Sequence, residues 1–215
     1  MGFLSGDRVE WQRWWLPVGE DVTLWDGLLP DPDRDYLRYV NKNLRRLSDS
    51  ADRRARILLA DPGMGKSTEL EQEVARLRSR GGYVKPLDLG TFATGNEVKL
   101  AVEDVVQRWQ HSGADELVLA LDGFDEPLVD IGNLSDLLMR ALDGLDRDRL
   151  RVIVASRSSL WRQSLQTAFT SWWGPDQCVA LELAPLSDSD IALAAESEGR
   201  EGSGWPVDRV SSWRC

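Results

Sequence analysis

Residues 60–67, Ala-Asp-Pro-Gly-Met-Gly-Lys-Ser, have the residue types and spacing of an anion-binding loop. Ala60 stands where a glycine is usual, whereas Gly63 and Gly65 permit the backbone angles that turn successive N–H groups towards one anion. A helix that begins near Lys66 would point its positive end at the same anion. The segment therefore predicts a phosphate-binding P-loop.

Each side chain of this loop has an expected role in holding a nucleotide. Lys66 should reach the β and γ phosphates, and the hydroxyl of Ser67 should ligate Mg²⁺. Thr68, one residue further on, could contact an α phosphate. The predicted nucleotide-binding set is Asp61, Pro62, Gly63, Met64, Gly65, Lys66, Ser67 and Thr68.

An acidic turn follows the apolar run that ends at Leu121. An apolar strand that ends in an acid delivers a carboxylate to the sheet edge, so Asp122 is a candidate for the Mg²⁺ shell. Asp125 and Glu126 come soon afterwards, and one of them could orient or deprotonate an attacking water. Without a phosphate loop beside it, the turn would be an ordinary solvent-facing loop.

Arg157 follows a third apolar run, Arg151 to Ala155. If this run is a strand beside the one that precedes the P-loop, Arg157 emerges next to the γ phosphate. An arginine there can stabilise transferred charge or report on the nucleotide state. A plain surface arginine is the alternative.

Five short apolar runs alternate with segments that have helical periodicity. These strands and helices must position the residues named above. The predicted strands start near Arg56, Tyr83, Glu116, Arg151 and Cys178. Such alternation predicts a three-layer α/β fold with a mostly parallel sheet, whose ligands bind at the carboxyl ends of the strands. Pro86 argues that the second strand lies at an edge.

The flanking segments are less regular, and the chain divides into four parts. Residues 1–33 predict an irregular, Trp-rich lead-in that covers the core. Residues 34–55 predict a basic amphipathic helix and linker, because apolar residues recur in this segment at intervals of three and four. Residues 56–198 form the α/β core. Residues 199–215 lack any period, and we expect this tail to mark a truncation.

Composition excludes several classes of protein. The 215 residues carry a net charge of −10, which disfavours direct nucleic-acid binding. Two cysteines and one histidine are too few for a metal cluster or a disulfide framework. The sequence shows neither a membrane span nor a secretory signal, so we expect a cytoplasmic protein. Residues 34–56 gather eight cations against three acids, which predicts either a solvated face or a surface for a neighbouring subunit or nucleotide.

Together, residues 61–68, the acidic block 121–126 and Ser156-Arg157 after a strand resemble the NACHT group of STAND signalling NTPases. Residues 11–27, the turn 31–33 and Leu183-Ala184-Pro185-Leu186 are similar to bacterial NACHT proteins of antiphage-defence or signalling type. The resemblance covers about residues 9–198.

The resemblance implies a sheet order of 5-1-4-3-2, Mg²⁺-dependent ATP binding, slow hydrolysis and nucleotide-gated self-association in the full-length protein. It implies catalytic roles for Lys66, Asp125, Glu126 and Arg157, and metal ligation by Ser67 and Asp122. The winged-helix histidine of that group has no counterpart, because His111 precedes the acidic block. A nucleotide-binding scaffold without turnover therefore stays open as an alternative, as does a small-molecule P-loop kinase.

Overall fold

The computed structural model describes residues 13–34, 36–124, 131–161 and 163–192, without the side chains of 131–133. In these ranges an α/β fold is built on one six-stranded sheet. The strands are β1 (Trp15–Pro17), β2 (Ala55–Leu59), β3 (Tyr83–Asp88), β4 (Leu117–Asp122), β5 (Leu150–Ser156) and β6 (Cys178–Leu183). The helices are α1 (Lys66–Ser79), α2 (Gly95–Ser112), α3 (Ile131–Ala141) and α4 (Gln163–Trp173).

The strands lie in the order β1-β6-β2-β5-β4-β3. This order differs from the expected five-stranded sheet because β1 adds a sixth strand, antiparallel to β6, at one edge. The other five strands are mutually parallel, and numbered by themselves along the chain they run 5-1-4-3-2. Pro86 lies in β3, which is the opposite edge strand, where a missing N–H is tolerated.

Helices cover both faces of the sheet, so the expected three layers are present. On one face α1 packs on side chains from β2, β5 and β6, together with Trp15 of β1. On the other face α2, α3 and α4 pack on β4 and β5. Because the central strands β2, β4 and β5 are buried on both faces, their sequences are nearly continuous apolar runs.

Residues 13–33, the described part of the lead-in, contribute a strand to the sheet. Trp15 is fully buried, and its backbone pairs with Leu183 of β6 on one side and with Arg45 on the other. The indole Nε1–H of Trp15 points to the Glu69 carboxylate of α1 at 3.4 Å. The lead-in therefore extends the sheet and packs on the α1 side.

The predicted basic helix within residues 34–55 is wrong. Among the described residues this segment has two short 3₁₀ turns, at Leu37–Tyr39 and Leu47–Ser50. Between them, Arg45 exchanges backbone hydrogen bonds with Trp15, and the Asn41 side chain bonds the backbone of Thr23. These tertiary hydrogen bonds compete with helical ones, and the apolar periodicity of the segment was not enough to decide the outcome.

Elements near the end of the described chain also differ from expectation. Helix α4 occupies the segment around Trp172 and Trp173, for which the sequence predicts no element. The sequence predicts a last helix at about residues 188–196, and residues 188–192 are helical. The predicted remainder of that helix and the tail 199–215 lie outside the described residues. No helix in the described ranges combines the length and apolar character needed to cross a membrane.

Candidate phosphate-binding site

The predicted anion-binding loop connects the buried strand β2 to helix α1. The N–H of Ala60 still bonds the carbonyl of Ser156 on β5 at 3.3 Å, so the loop starts at a fixed place on the sheet edge. Ala60 is itself buried, which suits alanine at a position where a glycine is usual. The chain then turns, and the N–H of Met64 bonds the carbonyl of Asp61 at 3.3 Å.

Both predicted loop glycines adopt left-handed backbone angles, with φ of +79° at Gly63 and +92° at Gly65. These angles are strained for residues that carry a Cβ, which explains the requirement for glycine. Gly65 is the N-cap of α1, and a glycine has no side chain that could cap the first turn of the helix. Its N–H groups and the positive end of the helix are therefore suited to an anion.

The side chains of the loop are accessible to different degrees. Asp61, Pro62, Gly63 and Ser67 are exposed, and Lys66 and Thr68 are half-buried. Lys66 and Ser67 form the start of α1, as expected from a loop that leads directly into a helix. Ser67 is thus exposed at the N-terminal end of α1, directly after the loop.

Asp122 is the last residue of β4, at the same sheet edge as the loop. One carboxylate oxygen, Oδ1, accepts a hydrogen bond from the N–H of Gly123 at 2.9 Å, which fixes the orientation of the side chain. Past the strand, the N–H of Phe124 bonds Ala155 of β5 at 3.0 Å. Asp125 and Glu126 lie outside the described residues.

The oxygen ligands at this sheet edge suit Mg²⁺ better than they suit a metal ion that is coordinated entirely by protein side chains. In the described ranges no three acids, histidines or cysteines come together as a metal cluster. Mg²⁺ usually keeps several waters and needs only one or two protein oxygens in addition to substrate phosphates. One hydroxyl from Ser67 and one carboxylate from Asp122 match that requirement.

Arg157 directly follows β5, which lies between β2 and β4 in the sheet. Ser156 is in register with Leu59, the last residue of β2 before the loop. The condition set by the sequence is therefore met, since the strand before Arg157 is the direct neighbour of the strand before the P-loop. Arg157 is half-buried at this edge.

Two residues at the loop were missed from the sequence, Arg13 and Glu69. The Arg13 guanidinium donates from Nη1 to the carbonyl of Met64 at 2.9 Å and from Nη2 to the carbonyl of Ala184 at 2.7 Å. A Cβ built on Gly65 would lie 3.7 Å from the same Nη1. Nothing around Arg13 in the sequence signals this contact.

Glu69 is buried in the first turn of α1, among the apolar residues of its inner face. Burial raises the pKa of this carboxyl, against the opposing effects of the Trp15 indole and of Arg13. Burial likewise lowers the pKa of Arg13, opposed by the charges of Asp190 and Glu69. The sequence did contain a signal for Glu69. It lies on the apolar face of α1, four residues before Glu73, and charged side chains are rarely buried without a partner.

Cdc6p from Pyrobaculum aerophilum has a similar fold: the TM-score is 0.50 at 11% identity, over 70% of this chain and 44% of that one. Together with the loop between β2 and α1, this likeness decides the fold. The chain has a P-loop NTPase fold.

Other solved structures with similarity to this P-loop NTPase fold include PCH-2 from C. elegans, with a TM-score of 0.48 and 18% identity over 69% of this chain and 40% of that one. Another is the replication initiator DnaA bound to AMPPCP and single-stranded DNA, with a TM-score of 0.48 and 15% identity over 77% and 52%. The chain thus corresponds to between 40% and 52% of these structures. Its sequence matches no protein-family model and no curated protein.

Proposed function

We propose that this chain is a Mg²⁺-dependent, ATP-binding switch domain that hydrolyses ATP slowly. The observation that carries the proposal is the geometry of the loop between β2 and α1. Two left-handed glycines precede α1, which has a glycine at its N-cap and begins with Lys66 and Ser67. This arrangement presents backbone N–H groups, a lysine and a hydroxyl to a triphosphate.

We assign the roles of Lys66, Ser67, Asp122 and Arg157 on the support of their positions at or beside the sheet edge, and those of Asp125 and Glu126 from the sequence. Lys66 neutralises the β and γ phosphates, and Ser67 and Asp122 would hold Mg²⁺. The metal would supply neutralisation of charge on the phosphates when bound. Arg157, directly after the strand next to β2, senses or stabilises the γ phosphate, while Asp125 or Glu126 positions the attacking water.

The biological role belongs to the same proposal. The combination of P-loop, acidic block and Ser156-Arg157 supports a NACHT-type signalling NTPase, working in the cytoplasm, that self-associates when nucleotide is bound. The similarity to bacterial antiphage-defence proteins makes defence the setting that we propose. The net charge of −10 argues against nucleic acid as the direct ligand of this chain.

Calorimetry tests the nucleotide site. We expect Lys66→Ala to weaken Mg-ATP binding by more than about tenfold, because one charge-assisted contact to the phosphates is lost. Lys99→Ala is the matched control, since Lys99 pairs only with Glu103 on the outside of α2 at 3.4 Å in the described structure. Equal Mg-ATP affinity for the wild type and Lys66→Ala would overturn the assignment.

Hydrolysis separates the switch from a scaffold without turnover. We expect phosphate release from ATP by the wild type, and loss of release with retained ATP binding in Glu126→Gln or in Asp125→Asn. No release from the wild type under saturating Mg-ATP would favour the scaffold. Transfer of phosphate to a metabolite would instead indicate a kinase.

A further inference from the structure

We infer that Arg13 is a positioning residue for the phosphate loop, acting through the carbonyl of Met64. This inference rests on the proposed function, because it assigns Arg13 to the same triphosphate site. Arg13 is only 6% exposed, although it belongs to the Trp-rich lead-in, 51 residues before Met64 in the chain. Its bond to the Met64 carbonyl, at 2.9 Å, is a direct contact between the lead-in and the interior of the loop.

The peptide unit between Met64 and Gly65 carries the effect. A trans peptide is planar, so its C=O and N–H point in opposite directions. When Arg13 holds the Met64 carbonyl, the N–H of Gly65 must point away from Arg13. Gly65 is the last residue before α1, where N–H groups that converge on a phosphate are needed. Arg13 therefore holds one phosphate-binding N–H in its working orientation without touching the phosphate.

The second bond of Arg13 fixes where the loop stands relative to the sheet. Nη2 donates to the carbonyl of Ala184 at 2.7 Å, directly after β6. The N–H of Ala184 in turn bonds the carbonyl of Trp14 at 2.9 Å. The lead-in, the end of β6 and the phosphate loop are thus joined through one guanidinium.

The burial and charge of Arg13 fit this role better than simple packing. Burying a cation is costly, and an apolar side chain would fill the space without that cost. Arginine instead offers a planar fork that can serve two carbonyls in different directions, which the single ammonium of lysine does less well. Glu69 and Asp190 face the guanidinium and favour its charged form.

Mg-ATP calorimetry on purified chains, with circular dichroism and thermal unfolding of each variant, tests the inference. We expect Arg13→Gln to weaken Mg-ATP binding by about tenfold and Arg13→Lys to restore part of that loss. Arg56→Gln is the matched control, because Arg56 is as deeply buried but pairs with Glu73 on the body of α1. It should lower the unfolding temperature and leave the Mg-ATP affinity within about twofold of wild type.

The outcomes separate this inference from the proposed function. A wild type that does not bind Mg-ATP would refute the proposed function itself. Wild-type affinity in Arg13→Gln, alongside loss of binding in Lys66→Ala, would refute the role of Arg13 alone. Equal weakening by Arg13→Gln and Arg56→Gln would mean that general destabilisation is the cause, which also overturns it. If Arg13→Gln does not fold, the same comparison is made with Arg13→Lys, which should bind more weakly than the wild type.

Discussion

Two buried carboxylates on one face of α1 sit in opposite electrostatic surroundings. Glu69 accepts from the Trp15 indole, and its other carboxylate oxygen, Oε1, has no hydrogen-bond partner in the described part of the chain. Glu73 is bonded by both Arg56 and Arg76. Burial would raise the pKa of Glu73, but the hydrogen bond from Arg76 and the charge of Arg56 hold it below its ordinary value, whereas the pKa of Glu69 is raised.

These shifts predict opposite pH profiles for two substitutions. Because the pKa of Glu69 is raised on folding, ionising it costs stability as the pH rises above the ordinary value of 4.5. We expect the unfolding free energy of Glu69→Gln, minus that of the wild type, to increase with pH from about 4.5 and then level off. Urea unfolding at a series of pH values measures this difference.

Glu73→Gln is the control of opposite sign. The pKa of Glu73 is lowered on folding, so its stabilising effect is present above the unfolded value and is lost as the pH falls through the folded one. At pH 7 the substitution leaves Arg56 as a buried cation without its main partner and should cost about 3 kcal/mol. Difference profiles of the same sign for the two variants would contradict this account.

At the scale of elements, the backbone angle at Gly65 decides which residues the loop between β2 and α1 can accept at that position. The space around the Cα of Gly65 would admit a Cβ, with the nearest atom at 3.7 Å, so its left-handed φ of +92° is the obstacle to substitution. Gly113, after α2, has the same kind of angle, with φ of +73° and open space around it. Both positions are unfavourable for a residue with a Cβ, but only Gly65 lies in the loop between β2 and α1.

This comparison predicts the effect of alanine at each position. Gly65→Ala and Gly113→Ala should each lower the unfolding free energy by about 1–2 kcal/mol, because alanine is strained in the left-handed region. Only Gly65→Ala should also weaken Mg-ATP binding, by about tenfold or more, as the loop N–H groups are displaced. Chemical unfolding and calorimetry on both variants check this. Loss of affinity in Gly113→Ala as well would indicate that binding follows stability alone.

The parallel core and the loop were predictable from the sequence, because strands such as Ile57-Leu58-Leu59 are continuous apolar runs and glycine spacing reports backbone angles directly. Strand β1 was not predictable, since Trp15-Leu16-Pro17 is too short to show a period. Apolar spacing predicts one helix over the two turns at Leu37–Tyr39 and Leu47–Ser50, because it does not show that Arg45 between them pairs with Trp15. Contacts as distant as Arg13 with Met64 leave no local pattern at all.

At the scale of the whole molecule, the basic segment 34–56 is partly used within the fold. Arg46 pairs with Asp33 at 2.8 Å and lies over the Trp14 ring, and Arg56 is buried with Glu73. Arg54 pairs with Glu116 at 2.6 Å. The hypothesis that this segment contacts a neighbouring subunit therefore rests on the exposed cations Arg34, Arg38 and Lys42, of which Arg34 pairs locally with Asp31 at 3.6 Å and Arg38 donates to the Tyr39 hydroxyl at 2.9 Å.

Self-association gives a test of that surface. We expect Mg-ATP to increase the sedimentation coefficient of the wild type and to have less effect on Arg38→Glu/Lys42→Glu, because reversed charges repel an acidic neighbour. Arg108→Glu is a suitable control, since Arg108 is an exposed cation on α2 paired with Asp104 of the same helix. An unchanged coefficient for the wild type with and without Mg-ATP would refute nucleotide-gated assembly of this chain.

Strand β1 has a further consequence for the ends of the sheet. An uncovered edge strand can template the addition of a strand from another molecule, which leads to aggregation. Here the antiparallel β1 covers the side of β6, and the opposite edge strand carries Pro86, which has no N–H to offer an incoming strand. The same short strand that precedes the α/β core thus also leaves β6 without a free edge, which disfavours edge-to-edge polymerisation.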